Sequence, residues 1–242
     1  MKNRFETVVL AVSVSALLVG CASSGSVKPD SQALRNVRTI AIVKVPNPKQ
    51  YTVMNAGSPM AAMGAAGALM MVADAKHNQK GLMGAIARTH FRYGQQLTRD
   101  LERALRADGY RVRVITVRNK KSKKFLANYK GLMHRGIDAV MDVETINVGY
   151  ETQNWPTSPY WRPEAAIKVR LASRTGSGMA YEQKFMYGYH NPFEGGTNLD
   201  APKRFHFASK KAMESASDRT LVDGLKDSAK AIASAVQAKL AR

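Results

Sequence analysis

The chemistry available to this chain narrows to one thiol and one run of cations. Cys21 is the only cysteine among 242 residues, and a thiolate is the strongest nucleophile that side chains offer. It follows Leu18-Val19-Gly20, an apolar pair and a small residue. The five histidines, at 77, 90, 134, 190 and 206, lack the i,i+4 or cysteine partners that zinc sites use. His190 and His206 with Glu194 come nearest to a ligand set, and they are spread around a loop. No G-x-S-x-G elbow occurs, because Gly176-Ser177-Gly178 reads as a tight turn, and neither a P-loop nor a dinucleotide fingerprint is present. Asp138, Asp142 and Glu144 lie on or beside one strand, where same-face carboxylates can in principle exchange protons. No substrate pocket goes with them. An enzyme is therefore the weakest class, and no catalytic residue, cofactor or metal is expected.

What precedes Cys21 explains the thiol. Lys2 and Arg4 make a positive end, and Val8 to Val19 form an apolar run broken by two serines. That is the layout of a secretory signal, too short to remain as a membrane span. Together these residues resemble a bacterial lipoprotein precursor, with Leu18-Val19-Gly20-Cys21 matching the lipobox of that family at every position. The resemblance implies a diacylglyceryl group on the Cys21 sulfur, cleavage after Gly20 and acylation of the new amino terminus, by palmitate or a similar chain. Each buried methylene contributes about 0.8 kcal/mol, and two chains suffice for stable anchoring. Ala22, where Asp would retain the protein at the inner membrane, implies the outer membrane and a periplasmic orientation. The expected organisation is a signal peptide at 1–20, a lipidated end and flexible tether at 21–36, and a periplasmic domain at 37–242 with an Ala/Gly/Met-rich insertion at 59–87.

The chain carries a formal net charge of +19, which favours anionic partners. Export makes nucleic acid an unsuitable one and leaves lipid headgroups, lipopolysaccharide phosphates or acidic envelope proteins. Two surfaces are candidates for such contact. Arg118, Lys120, Lys121, Lys123 and Lys124 place five cations within seven residues, each worth about 1 kcal/mol near an anionic surface; a merely solvated run is the alternative. Trp155, Tyr160 and Trp161 stand in a loop with Pro156, Pro159 and Pro163, able either to present rings to a partner or to cap one end of a sheet.

These residues need a scaffold, and hydrophobic periodicity supplies one. Residues 37–45 are β-branched and nearly continuous in apolar residues, as an interior strand requires. Residues 59–73 hold only Pro, Met, Ala, Gly, Leu and Val, with small residues four apart at Gly57, Ala61 and Ala65. They fall short of a bilayer span. With 81–87 they read as a helical hairpin in the membrane interface or against a sister subunit, or else as a flexible loop or a helix lying over the domain's own core. From Thr89 to Asp108 the pattern is helical, with Leu97, Leu101 and Leu105 on one face and Gly109 at the C-cap. A strand is expected over 110–117, a helix over 122–135 ending at Gly136, and strands over 137–150, 165–173 and 179–189. A closing helix from about Asp218 carries Leu221, Leu225, Ile232, Val236 and Leu240.

The predicted fold is α/β, a mixed sheet of about five strands with helices packed on it. Thr39-Ile40-Ala41-Ile42-Val43, Ala107-Asp108-Gly109-Tyr110-Arg111-Val112, Gly136-Ile137-Asp138-Ala139-Val140, Val169 to Gly176 and the closing helix, in that order, resemble the periplasmic lipoproteins related to the curli secretion channel subunit and to the outer-membrane activators of penicillin-binding proteins. That resemblance implies action by binding or assembly. The expected function is a non-enzymatic, lipid-anchored envelope protein whose domain binds another envelope component. The alternative is a self-associating subunit of a secretion or export pore.

Overall fold

The computed structural model describes residues 29–55, 79–134, 136–152, 159–174, 179–188 and 195–241. Within them the chain forms a mixed sheet of seven strands: β1 Thr39–Val43, β2 Thr52–Asn55, β3 Arg111–Ile115, β4 Ala139–Thr152, β5 Arg162–Ser173, β6 Met179–Tyr187 and β7 Thr197–Leu199. The order across the sheet is β3-β1-β4-β5-β6-β7. β1 runs parallel to β3 and β4, β4-β5-β6 is an antiparallel meander, and β7 adds in parallel. The expected α/β class is the observed one. The two strands beyond the five expected are β2 and β7, four and three residues long, too short to show a period of their own.

β4 organises the sheet. One edge pairs with β5 along nearly its whole length, from Ala139↔Ser173 to Glu151↔Arg162. The other edge is shared: β1 takes Ala139–Met141 and β2 takes Gly149–Thr152. Between them the β4 backbone bonds to a loop, Thr145 N–H donating to the Ser122 carbonyl at 2.7 Å. A register shift between Thr145 and Asn147 marks the same place and bends the strand there.

Five helices accompany the sheet among the described residues: α1 Ser31–Arg35, α2 at 79–88, α3 Tyr93–Ala107, α4 Lys210–Glu214 and α5 Asp218–Leu240. α3 and α5 pack against each other and on one face of the sheet. Leu97, Leu101 and Leu105 from α3 and Leu225, Ala229, Ile232 and Val236 from α5 meet Ile40, Ile42, Met141, Ile167 and Val169, and none of them touches solvent. Burying each such side chain contributes about 1.5–3 kcal/mol, so this layer holds most of the fold. Gly109 adopts φ +84°, the left-handed cap that releases α3 into β3. Gly224 lets α5 approach the sheet, since a Cβ there would stand 2.4 Å from the Tyr150 hydroxyl.

Two boundaries change, and for 81–87 the alternative of a helix over the domain's own core is the one observed. α3 begins at Tyr93 rather than Thr89, because Thr89 ends α2 and His90 turns the chain with φ 51°. The patch at 81–87 lies in α2, where Leu82, Ala85 and Ile86 join the domain's own core; residues 59–73 lie outside the described residues. The fold also starts before residue 37. Asp30 caps α1 through its carboxylate, its own N–H donates to the Ala180 carbonyl at 3.0 Å, and Leu34 packs against the core.

The largest departure is at 122–135, expected as a helix. It is a chain of turns with one tight helical turn at Lys130–Leu132. Phe125, Tyr129 and Leu132 have helical spacing, but Asp142, fully buried in β4, takes the Leu126 N–H at 2.7 Å and the Tyr129 hydroxyl at 3.1 Å. A buried carboxylate needs those donors. The segment thus lies flat over the second face of the sheet, where Ala41, Val43, Ile137 and Val140 form a smaller core under Leu126, Tyr129, Leu132 and Met133.

Candidate ligand-binding surface

The cation run divides on folding. Lys120 turns inward, its ammonium 3.0 Å from Asp142 Oδ1, with side chains 3% and 0% exposed. It also donates to the carbonyls of Val143, at 3.2 Å, and Lys124. Lys120 is therefore a structural cation that neutralises Asp142, and its place among the candidate contacts is corrected on that ground. Beside this pair, burial and then the Asp142 charge push the Tyr129 hydroxyl's pKa up. Arg118, Lys121, Lys123 and Lys124 remain exposed, and none has an ion-pair partner among the described residues.

The aromatic surface divides in the same way. Trp161 is 8% exposed, belongs to the main core, and pairs through its backbone with Phe207. It caps the sheet rather than facing a partner. Tyr160 is 45% exposed and stacks on His206 with ring centroids 5.7 Å apart. Trp155, His77, His190, Glu194 and Cys21 lie outside the described residues.

Two of the three strand carboxylates, Asp138 and Asp142, are committed to structure. Asp138 accepts the N–H groups of Arg38 and Thr39 at 3.0 and 2.9 Å, tying the start of β1 to the start of β4, and Asp142 is held as above. No group of three or more metal-ligating side chains occurs among the described residues. No described helix is long and apolar enough to cross a membrane.

Folding also assembles a surface that no short motif announced. At the carboxyl ends of β1 and β3 a cleft of about 520 Å³ is lined by Lys44, Arg92, Gln95, Asn119 and Lys120 with backbone from Val45 to Asn47. A second cleft, about 600 Å³, continues from it past Lys49, Lys121 and Lys123 to Asn147 and Val148, sharing Pro46, Asn47 and Lys120. Neither has a carboxylate in its lining. The N-terminus of α3 closes one wall, because Gly94 approaches so closely that a Cβ would meet the Val45 carbonyl at 2.4 Å. Its first amides are already engaged: Tyr93 N–H reaches the Tyr51 hydroxyl at 3.3 Å and Gly94 N–H the Asn47 side-chain oxygen at 2.9 Å.

The sheet has polarity. Asp30 joins at Ala180, at the end where β1 starts and β5 finishes. The cationic clefts lie farther along, from Val45 to the level where Thr52 pairs with Gly149. At about 3.3 Å per residue this is roughly 20–30 Å from the point where the chain enters.

The chain matches no family model and no curated protein. Among solved structures it is similar to the PelC dodecamer from Paraburkholderia phytofirmans, with 11% identity over 90% of this chain and 95% of that one at a TM-score of 0.39. It is also similar to a DUF330 protein from Xanthomonas campestris, with 6% identity over 87% of each chain at a TM-score of 0.40. Both likenesses are too distant to transfer a function.

Proposed function

We propose that this protein is a non-enzymatic lipoprotein of the bacterial outer membrane, held by acylated Cys21 and facing the periplasm, whose α/β domain binds another envelope component. One observation carries the binding half of the reading: the fold has two different ends. Among the described residues the first contact with the sheet is at Asp30, nine residues after Cys21. The exposed cations Arg118, Lys121, Lys123 and Lys124 and the exposed ring of Tyr160 lie up the sheet from that entry point. An anchor at one end leaves the other end free for a partner. Of the strand carboxylates, Asp138 accepts backbone N–H groups and Asp142 is neutralised by Lys120, which supports binding over catalysis.

Photo-crosslinking in intact cells tests this, with the crosslinking residue at Lys123, at Tyr160 or at Lys239, the last exposed on the closing turn of α5 beside the entry end. The reading expects a discrete crosslinked species from 123 or 160 and none from 239. Crosslinks confined to 239 would overturn the choice of surface, and a Cys21→Ala variant that still pellets with outer membranes would overturn the anchor.

A further inference from the structure

We infer that the paired clefts at the carboxyl ends of β1 and β3 form a binding site for a soluble ligand carrying several phosphate groups. In open α/β sheets the crevice beyond the carboxyl ends of the strands, where connections leave in opposite directions, is the preferred ligand position. β1 is such a point. The chain leaves it through α3 over one face to reach β3, then returns over the other face, by the 116–136 segment, to β4 on its far side.

The chemistry of the lining selects the ligand. Lys44, Lys49, Arg92, Lys121 and Lys123 come from four separate stretches of sequence, are all exposed, and have no ion-pair partner among the described residues. With no carboxylate in either lining, their fields add rather than cancel, and a cleft lined by one sign of charge concentrates counter-ions. Four of the five are lysines. Lysine binds phosphate as a point charge, without the fixed bidentate geometry that arginine imposes on a carboxylate or phosphate. Several point charges along an elongated groove suit several phosphates on one molecule. Because the first amides of α3 are already bonded to Tyr51 and Asn47, the side chains and not the helix terminus supply the binding. Lys120, held from behind by buried Asp142, lines both clefts where they meet.

The source follows from the polarity described above, and on this point alone the inference rests on the proposed anchor. The Asp30 contact and the clefts lie at opposite ends of the sheet, roughly 20–30 Å of strand apart. With Cys21 nine residues before Asp30, the clefts stand at the end of the domain farther from the anchor, and the ligand comes from the aqueous side.

Titration calorimetry of the protein as isolated from cells, in the presence of neutral phosphatidylcholine nanodiscs and with inorganic tripolyphosphate as the probe, tests the site. The triple variant Lys44→Gln, Arg92→Gln, Lys121→Gln is expected to weaken binding at least tenfold. The equally charge-depleted Lys211→Gln, Lys230→Gln, Lys239→Gln, at exposed positions remote from the clefts, is expected to stay within twofold of wild type. Equal losses in the two variants, or no binding by wild type, would overturn the site. Nanodiscs containing phosphatidylglycerol form a second arm, in which tripolyphosphate affinity should be unchanged; competition by that lipid would overturn the soluble source and assign the clefts to headgroups. A fractionation result that removed the anchor would leave the calorimetry standing, so the two readings fail separately.

Discussion

Removing the Lys120 ammonium is the sharpest perturbation of this fold. In Lys120→Met, Asp142 keeps its carboxylate inside the sheet with only the Leu126 N–H, the Tyr129 hydroxyl and the adjoining backbone as donors. Breaking one side of a buried pair typically costs 3–5 kcal/mol, because the other charge is left uncompensated. Exposures of 3% and 0% put this pair in that class. An exposed ion pair would cost about 0–1 kcal/mol. With a urea slope of about 2 kcal/mol per M, the unfolding midpoint should fall by about 2 M, followed through the fluorescence of buried Trp161. Lys123→Met, on an exposed side chain, should stay within about 0.5 kcal/mol. In the double variant Lys120→Met, Asp142→Asn the buried charge is gone and Asn still accepts from Leu126, so the two effects should fall short of their sum by about 1 kcal/mol or more. A midpoint shift for Lys120→Met no larger than that for Lys123→Met would refute the assignment of Lys120 to structure and return it to the surface.

Other consequences are as direct. Gly149→Ala would set a Cβ 1.8 Å from the Thr52 carbonyl oxygen; separating β2 from β4 should cost about 3 kcal/mol in thermal or denaturant unfolding. Gly224→Ala forces the Tyr150 hydroxyl off its 2.9 Å bond to the Leu221 carbonyl, and a net loss of about 1 kcal/mol should remain after the helix-propensity gain. Trp161→Ala should cost about 3–5 kcal/mol of stability as a core truncation, whereas Tyr160→Ala, on an exposed ring, should leave stability within about 0.5 kcal/mol. Burial is the leading cause of raised pKa values at Tyr93, Tyr129, Tyr150, Tyr181 and Tyr187. The unfolded chain then releases these protons first, so the associated stability is fully present below the ordinary tyrosine pKa of about 10 and is lost as pH rises above it. Phenolate absorbance from these rings should appear together with unfolding, not before it.

What the sequence disclosed, and what it hid, divides along range of interaction. Leu97, Leu101 and Leu105 spell a helix face in any context, and Gly109 and Asp218 mark ends whose geometry is local; these read correctly. β2 did not, because Thr52–Asn55 is a strand only by virtue of the free edge of β4 beyond Thr145. The helical spacing of Phe125, Tyr129 and Leu132 misled for a related reason: a carboxylate 13 residues away, Asp142, binds the Tyr129 hydroxyl and holds the segment flat. The same carboxylate removes Lys120 from a run that looked uniform. Conversely Lys44, Arg92 and Lys121 are far apart in sequence, and only the path of the chain around β1 and β3 brings them to two adjoining clefts.

The anchor remains the premise on which compartment and orientation depend. The most direct measurement is the mass of the N-terminal peptide from protein isolated from cell membranes. The expected species is a chain beginning at Cys21 that carries a thioether-linked diacylglyceryl group and an amide-linked acyl chain. A peptide retaining residues 1–20, or a Cys21 that reacts as a free thiol, would contradict it.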